Sequence, residues 1–377
     1  MKLNYKKLGN YIEACDILNE DMNLTLLQGI SNEKYFQSCK SNTVDIDLSK
    51  YRVCRKGWFA YNRATTRNGE KISIAYREKD DCLVSPSYKC FRIKDEKQLS
   101  PYYLLLWFKR SEFDRYARFM SHGSAHEYFE YEQLAEVLLP VPPIEEQEKI
   151  VGAYQKIETR IALKKKINEN LEKQAIAMFH KLFDDQNTWN DGTFADLGEI
   201  VGGATPSKEK AEYFCDNGIV WLTPKDLTST GLKFIYKGET DITKTAYQSC
   251  STKIMPQGTV LLTSRAPVGS VAIAMVDLCT NQGFKSIVPK EKIGTAYVYY
   301  FLKENKQLLD SYSSGTTFME ISGNVLKSIP TKIPPCSLTK KFTQLCKRIF
   351  SYQAKLEFEI IKLNQLLTVI NSSLVAC

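Results

Sequence analysis

Pro142-Pro143-Ile144-Glu145-Glu146-Gln147-Glu148-Lys149-Ile150 is the stretch whose reading decides the fold. Pro143 suits the first helical turn, where its missing N–H costs nothing, and Glu145, Glu146 and Glu148 suit the positive end of the helix dipole. From Ile150 the chain runs through Tyr154, Ile157, Ile161, Lys164, Asn168, Leu171, Ala175, Met178 and Leu182 in alternating steps of four and three. A 3.5-residue apolar period sustained over about four heptads predicts a coiled-coil seam. The double proline returns as Pro334-Pro335. A second such run follows through Leu338, Phe342, Leu345, Ile349, Tyr352, Leu356, Glu359, Leu363, Leu366 and Ile370. Lys164, Asn168 and Glu359 interrupt the seam with polar groups suited to fixing its register.

The two prolines belong to a longer repetition. Leu8-Gly9 recurs as Leu197-Gly198, and Gly123-Ser124 with Phe129 recurs as Gly315-Thr316-Thr317-Phe318. Gly57-Trp58-Phe59-Ala60-Tyr61-Asn62-Arg63 parallels Gly258-Thr259-Val260-Leu261-Leu262-Thr263-Ser264-Arg265, and Tyr102 to Lys109 parallels Tyr297 to Lys303. Their common order makes the chain two copies of one unit, the first thing to establish in a repeat. The expected organisation is a globular domain over 1–142, a helix over 143–183, a second globular domain over 184–333 and a second helix over 334–377. If the second domain's termini lie close together, the helices pair antiparallel. About 30 helical residues at 1.5 Å each would separate two globular ends by roughly 45 Å, comparable with the about 34–36 Å between successive faces of a duplex. Strands are expected at 72–76, 258–263 and 270–275, and helices at 101–118 and 295–311. The fold class is thus α/β: two mixed globular domains, a long antiparallel coiled coil and an internal pseudo-twofold repeat.

Composition agrees with an ordinary globular protein: 377 residues, 43% hydrophobic and 25% charged. No apolar run approaches the roughly 18 residues of a membrane span. The basic N-terminus has no apolar stretch behind it, so neither a signal peptide nor a membrane partner is expected, and the cytoplasm is the expected location. Eleven scattered cysteines without a Cys-x-x-Cys pair read as reduced thiols rather than a zinc site. A formal charge of +8 suits a polyanionic partner without demanding one.

The chain resembles the specificity subunit of type I restriction-modification systems over essentially its whole length. The second copy carries the resemblance in Gly202-Gly203-Ala204-Thr205-Pro206-Ser207-Lys208, Trp221-Leu222-Thr223-Pro224-Lys225-Asp226-Leu227, Leu262 to Gly269, and Asn281-Gln282-Gly283-Phe284-Lys285. Pro142-Pro143-Ile144-Glu145-Glu146-Gln147 resembles the motif that introduces the family's helices; Pro334-Pro335-Cys336-Ser337-Leu338 lacks its Glu-Gln. Where Asn-Gln-Gly-Phe-Lys would stand, the first copy has Ser85-Pro86-Ser87-Tyr88-Lys89. The resemblance implies that each globular copy reads one half of a split DNA target. The helices would set the spacer and dock two modification subunits. Those partners would carry S-adenosylmethionine and methylate adenine, and a motor and nuclease subunit is a further optional partner. No cofactor is expected on this chain.

Base reading needs amides and guanidinium groups, and phosphate anchoring needs hydroxyls and lysines. In the first copy Tyr61, Asn62, Arg63, Thr65, Thr66, Arg67 and Lys71 form one such loop, with Lys89 beyond it; an ordinary solvated hairpin is the alternative. In the second copy the candidates are Thr205, Ser207, Lys208, Lys225, Ser264, Arg265, Asn281, Gln282 and Lys285. For Arg265 the alternative is a strut between sheet and helix. For Asn281, Gln282 and Lys285 it is a network bracing the domain. Lys225 and Asp226 could simply pair with each other.

Catalytic signatures are missing. Gly202-Gly203 has no following Gly-Lys-Thr, so it is no nucleotide loop, and no methyl-donor loop, Asn-Pro-Pro-Tyr or Gly-x-Ser-x-Gly string occurs. His122 and His126 lie four apart near Glu127 and Glu130, but the second copy has Ser314 and Phe318 there, and no metal is expected. The sequence therefore reads as a non-catalytic DNA-recognition subunit. The competing readings are a coiled-coil scaffold gripping proteins and a metal-dependent nuclease.

Overall fold

A computed structural model describes residues 5–39, 46–64, 71–122, 127–265, 267–315 and 319–373. The chain divides into two compact units, Met1–Ala162 with Lys362–Cys377 and Leu163–Ile361. Two long helices, Ile144–Phe183 and Cys336–Ser373, are each divided between them.

In the first unit a four-stranded antiparallel sheet runs in the order Ile12–Cys15, Tyr88–Ile93, Phe59–Asn62, Ile74–Tyr76. Pro101–Phe108 and Ser111–Met120 pack on it. The expected single helix at 101–118 is broken at Lys109 and Arg110, where Arg110 takes an extended backbone before the next helix. Phe59 stacks on Phe91 at 5.0 Å between ring centroids, and Phe108 meets both edge-on. Such pairs add to the area-driven gain of burying whole aromatic rings.

The second unit repeats this frame. Its five-stranded sheet runs Gly198–Gly202, Lys285–Pro289, Val260–Leu262, Val271–Ala274, Phe234–Ile235, with Thr295–Glu304 and Lys306–Ser311 following. The correspondence is visible in backbone pairing. Phe59 opposes Tyr76 as Val260 opposes Ile273. The short strand Tyr5–Lys7 pairs Leu138–Pro140 as Asn190–Thr193 pairs Pro330–Ile333. Gly57 and Gly258 hold φ of 87° and 89°, the left-handed region open to glycine, in the turn before matching strands. The second copy adds a four-stranded sheet, Phe214–Cys215, Thr240–Ile242, Ile219–Leu222, Cys279–Thr280.

Within the second unit the long helices run antiparallel: Lys164 pairs with Glu359, Gln353 donates to Glu172 at 3.1 Å, and the Phe179 and Phe342 rings lie 5.8 Å apart. In the first unit Val151 and Tyr154 share a core with Leu367 and Ile370. The seam itself needs correction. Leu345, Tyr352 and Leu366 are 42%, 47% and 46% exposed, whereas Cys346 and Gln353 are buried and Leu367 packs into the core. The inward residue is one position further along at each of these heptads. On the first helix Tyr154 and Ile161 are buried as the seam required, Ile150, Ile157, Leu171 and Met178 are half-buried, and Phe179 is the deeper residue beside Met178. On the second helix Phe342 and Leu356 are buried, and Ile349, Leu363 and Ile370 are half-buried. The phase moves because each helix also packs against a globular part, and because Gln353 finds partners inside.

Those partners are a buried ionic cluster. Lys233 donates to Tyr300 at 2.7 Å, to Glu172 at 2.8 Å and to Gln353 at 3.0 Å, and its ammonium lies over the Phe350 ring at 4.1 Å. Glu357 accepts from the backbone N–H of Lys233 and Phe234. Burial pushes the Lys233 ammonium down to about 8 against the pull of Glu172. Burial alone would push the Glu172 carboxyl up, but Lys233 and Lys303 overcome it and hold it at about 2. In the first unit Lys34 is likewise buried, paired with Asp114 at 2.5 Å and donating to the Ile72 carbonyl. Among the described residues every cysteine is a free thiol, no cluster is placed to hold a metal, and no helix is long and apolar enough to cross a membrane.

Candidate nucleic-acid interface

The four strings singled out in the second copy meet in one loop cluster. Ala204 donates to the Thr280 carbonyl at 3.0 Å, and Asn281 to the Leu222 carbonyl at 2.8 Å. Ser264 donates to the Gly283 carbonyl at 2.8 Å, and the Trp221 indole donates to Ala204 at 3.1 Å. Gly203 is required by this approach, since a Cβ there would lie 2.1 Å from the Thr280 carbonyl oxygen. The strings are therefore primarily a scaffold. Asn281 is committed to it, its side chain accepting from Gly283 at 2.8 Å. Asp226 accepts from the Thr223 backbone and hydroxyl, both at 2.7 Å, and caps the helix Pro224–Thr230. Lys225 does not pair with Asp226; it is exposed and reaches Glu239 at 3.0 Å.

On this scaffold sit the groups that face outward. Ser207, Lys208 and Gln282 are exposed, and Thr205 hydrogen-bonds the Gln282 side chain. Arg265 is about one-third exposed, with its guanidinium 4.0 Å from Glu320. Lys285 donates to the Gln282 and Phe284 carbonyls, both at 3.3 Å, and burial pushes its ammonium down while Glu320 raises it and Arg265 lowers it. Thus Arg265, Lys285 and Glu320 form a compact charged group beside exposed amide and hydroxyl donors.

In the first copy the corresponding tip is closed. Arg63 bonds Glu130 at 2.8 Å and lies over the Tyr128 ring at 4.7 Å. Asn62 accepts from the Ala64 N–H at 3.1 Å. Lys71 is exposed and bound to Glu33 at 2.7 Å, and Lys89 is half-buried in its strand. Thr65, Thr66, Arg67 and His126 lie outside the described residues.

Three sequence expectations change. Tyr61 is wholly buried among Phe91 and Phe129 and offers a duplex nothing in this conformation. Ser264 is also buried, its backbone bridging Gly283 and Ile321. Arg265 does not match Arg63, although each ends its paralleled string; counted from Gly57 and Gly258, the residue in register with Arg63 is Ser264. Phe129 donates to the Arg63 carbonyl as Ile321 donates to that of Ser264, so Arg63 corresponds to Ser264 and the second arginine lies one residue on.

Sequence reasoning named Glu130 only beside the two histidines and missed Glu320, and it gave neither carboxylate its place against these arginines. The recurrence of Gly123 and Gly315 upstream marked that part of the chain as repeated. It also missed an open apolar groove in the second unit lined by Leu232, Tyr236, Met275, Phe350, Phe358 and Ile361. Tyr236 and Phe358 are half-exposed there.

Comparison with known proteins gives a consistent result. The family described as "Type I restriction modification DNA specificity domain" matches twice, over residues 20–173 and 186–367. The MjaIX type I restriction enzyme specificity subunit of Methanocaldococcus jannaschii is 44% identical over 148 residues, 39% of this chain and 34% of that protein. The chain therefore spans about a third of that relative's length. The putative MjaX specificity subunit of the same organism is 25% identical over 86% of this chain and 80% of its own. The crystal structure of a type I restriction-modification S subunit from M. genitalium superposes with a TM-score of 0.61 at 14% identity, over 99% of this chain and 96% of that one, a likeness of fold. The chain belongs to the type I restriction-modification DNA specificity family.

Proposed function

We propose that this member of the family chooses the DNA target of a type I restriction-modification assembly. Each globular copy reads one half of a split duplex sequence, and the chain itself performs no chemistry. The observation that carries the reading is the convergence of four separated strings on one loop cluster that presents Arg265, Lys285, Gln282 and Thr205 together. Guanidinium and amide groups read base edges, while lysines and hydroxyls anchor phosphates.

The two long helices hold the copies and dock two modification subunits, which bring S-adenosylmethionine and methylate adenine in each half-site. A motor and nuclease subunit joins for cleavage, and the assembly works on host DNA in the cytoplasm. The apolar groove beside Phe350 and Phe358 supports docking, because exposed contiguous apolar surface marks interaction sites. Base-resolved adenine methylation of host DNA, with and without this gene, tests the proposal. Loss of methylation at one bipartite motif is expected; unchanged methylation with the modification subunits expressed overturns it.

A further inference from the structure

A carboxylate on a DNA-facing tip needs a reason, because it repels phosphates that lysines and arginines attract. The first copy supplies one at Glu130, which makes a 2.8 Å hydrogen bond to Arg63. Glu130 also precedes the helix Tyr131–Ala135 and accepts from its N-terminal backbone. Arg63 is packed on Tyr128 as well, so both heads of that pair are in use.

Glu320 has no such occupation. The backbone bridge between Arg265 and Glu320 already joins their segments, and Glu320 exchanges backbone hydrogen bonds with Ser314 at 2.9 and 3.0 Å. The side chains are therefore not needed as a tie. They stand 4.0 Å apart, beyond hydrogen-bond length, with 35% and 43% of their surfaces exposed. Helix capping at this place falls to Ser322, which accepts from Val325, so that task does not fall to Glu320.

We propose that Arg265 and Glu320 together read one guanine–cytosine base pair in the half-site of the second copy. The guanidinium donates to guanine O6 and N7, and the Glu320 carboxylate accepts from the cytosine amino group beside them. The major-groove edge of that pair presents two acceptors next to one donor, the complement of an arginine held close to a carboxylate without being bonded to it. Lys285, drawn to the same carboxylate, balances its charge against the phosphates. The first copy, with its arginine bonded and stacked, reads its half-site by other groups. This inference rests on the DNA-reading function proposed above and adds to it a particular pair of residues and a particular base pair.

The test is the methylated motif produced by the full chain with its modification subunits, mapped at base resolution for the unaltered protein, Glu320→Gln and Arg265→Lys. Glutamine both donates and accepts, so Glu320→Gln is expected to retain methylation while losing about tenfold of its discrimination at one base pair. Arg265→Lys keeps the charge but loses the bidentate fork, and should relax the same position. Glu130→Gln should leave every position of the motif unchanged. Thermal unfolding of each variant checks that the exposed substitutions leave the fold intact; a reduced motif from a destabilised variant is replaced by the outcome for Glu320→Asp, which keeps the charge, retracts the head and should weaken the same position. An unchanged motif in the Glu320 and Arg265 variants, or relaxation in the other half-site, overturns the pairing while leaving DNA reading intact. A wild-type chain that directs no motif overturns both.

Discussion

The two globular copies share a backbone frame and differ in what their side chains do at its two ends. At the tip, Arg63 is bonded to Glu130 and stacked on Tyr128, while Arg265 stands one register position on with Glu320 unbonded beside it. At the base, the buried lysine of the first unit finds its carboxylate within the same globular part, Asp114. That of the second reaches Glu172 on one long helix and Gln353 on the other. Glycine turns and strand pairings are the repeated part, since they are set by backbone hydrogen bonds that many side chains satisfy. A duplicated frame can thus carry different surface chemistry in each copy without rebuilding its scaffold.

The largest expected effect tests the base of the second copy. Lys233→Ala should cost about 3 kcal/mol, because it leaves the buried Glu172 carboxylate with Lys303 as its remaining cation and orphans the groups that Lys233 bonded. Urea unfolding of the whole chain measures this, and a loss no greater than that of the half-exposed Lys237→Ala would break the contrast. The pH response sharpens it. Glu172 titrates lower in the fold than its ordinary 4.5, so its stabilisation is complete above that value and is lost as pH falls toward about 2. Lys233 gives a slope of the same sign at higher pH: its folded value near 8 lies below 10.5, so the cost of keeping it charged is relieved and stability rises as pH climbs through that interval. Glu172→Gln should flatten the acid limb.

Next in size is the seam. Leu356→Ala removes a side chain that is 2% exposed and should cost about 2–5 kcal/mol, whereas Tyr352→Ala should stay within about 0.5 kcal/mol. Equal losses would restore the register read from the sequence. Phe358→Lys, in the apolar groove, should weaken capture of the proposed modification subunit by about tenfold, near 1.4 kcal/mol, as measured by co-purification of the assembly. The smallest contrast is at the tips. Arg63→Lys should lower stability by about 1 kcal/mol through its lost stacking on Tyr128 and its changed hydrogen bond to Glu130, and Arg265→Lys by less than about 0.5 kcal/mol. Equal melting curves would remove the distinction between a closed and an open tip.

Much of this was legible in the residues. Pro143, the acidic first turn and the 3.5-residue period marked the first long helix, because helix initiation and apolar periodicity are local properties. The glycines at 57 and 258 marked matching turns for the same reason. Less was legible where one residue decides between two faces. Tyr352 is the better apolar candidate by composition, yet Gln353 turns inward because Lys233 and Glu172, far away in sequence, satisfy its amide. Tyr61 looked like part of a polar loop but belongs to the strand before it, where alternation sends it into the aromatic core.

The sequence by itself determined the duplication, the two long helices, the α/β character of the copies and the family to which the chain belongs. These follow from periodicity, turn chemistry and short strings, each carried by neighbours along the chain. Only the tertiary structure decided that four such strings share one loop cluster. It alone showed that Glu130 and Glu320 face the arginines and that Lys233 is held by both helices. Each of these depends on contacts between residues tens to more than a hundred positions apart. There the cost of burying a charge or orphaning an amide is settled by whichever partner the fold brings within reach.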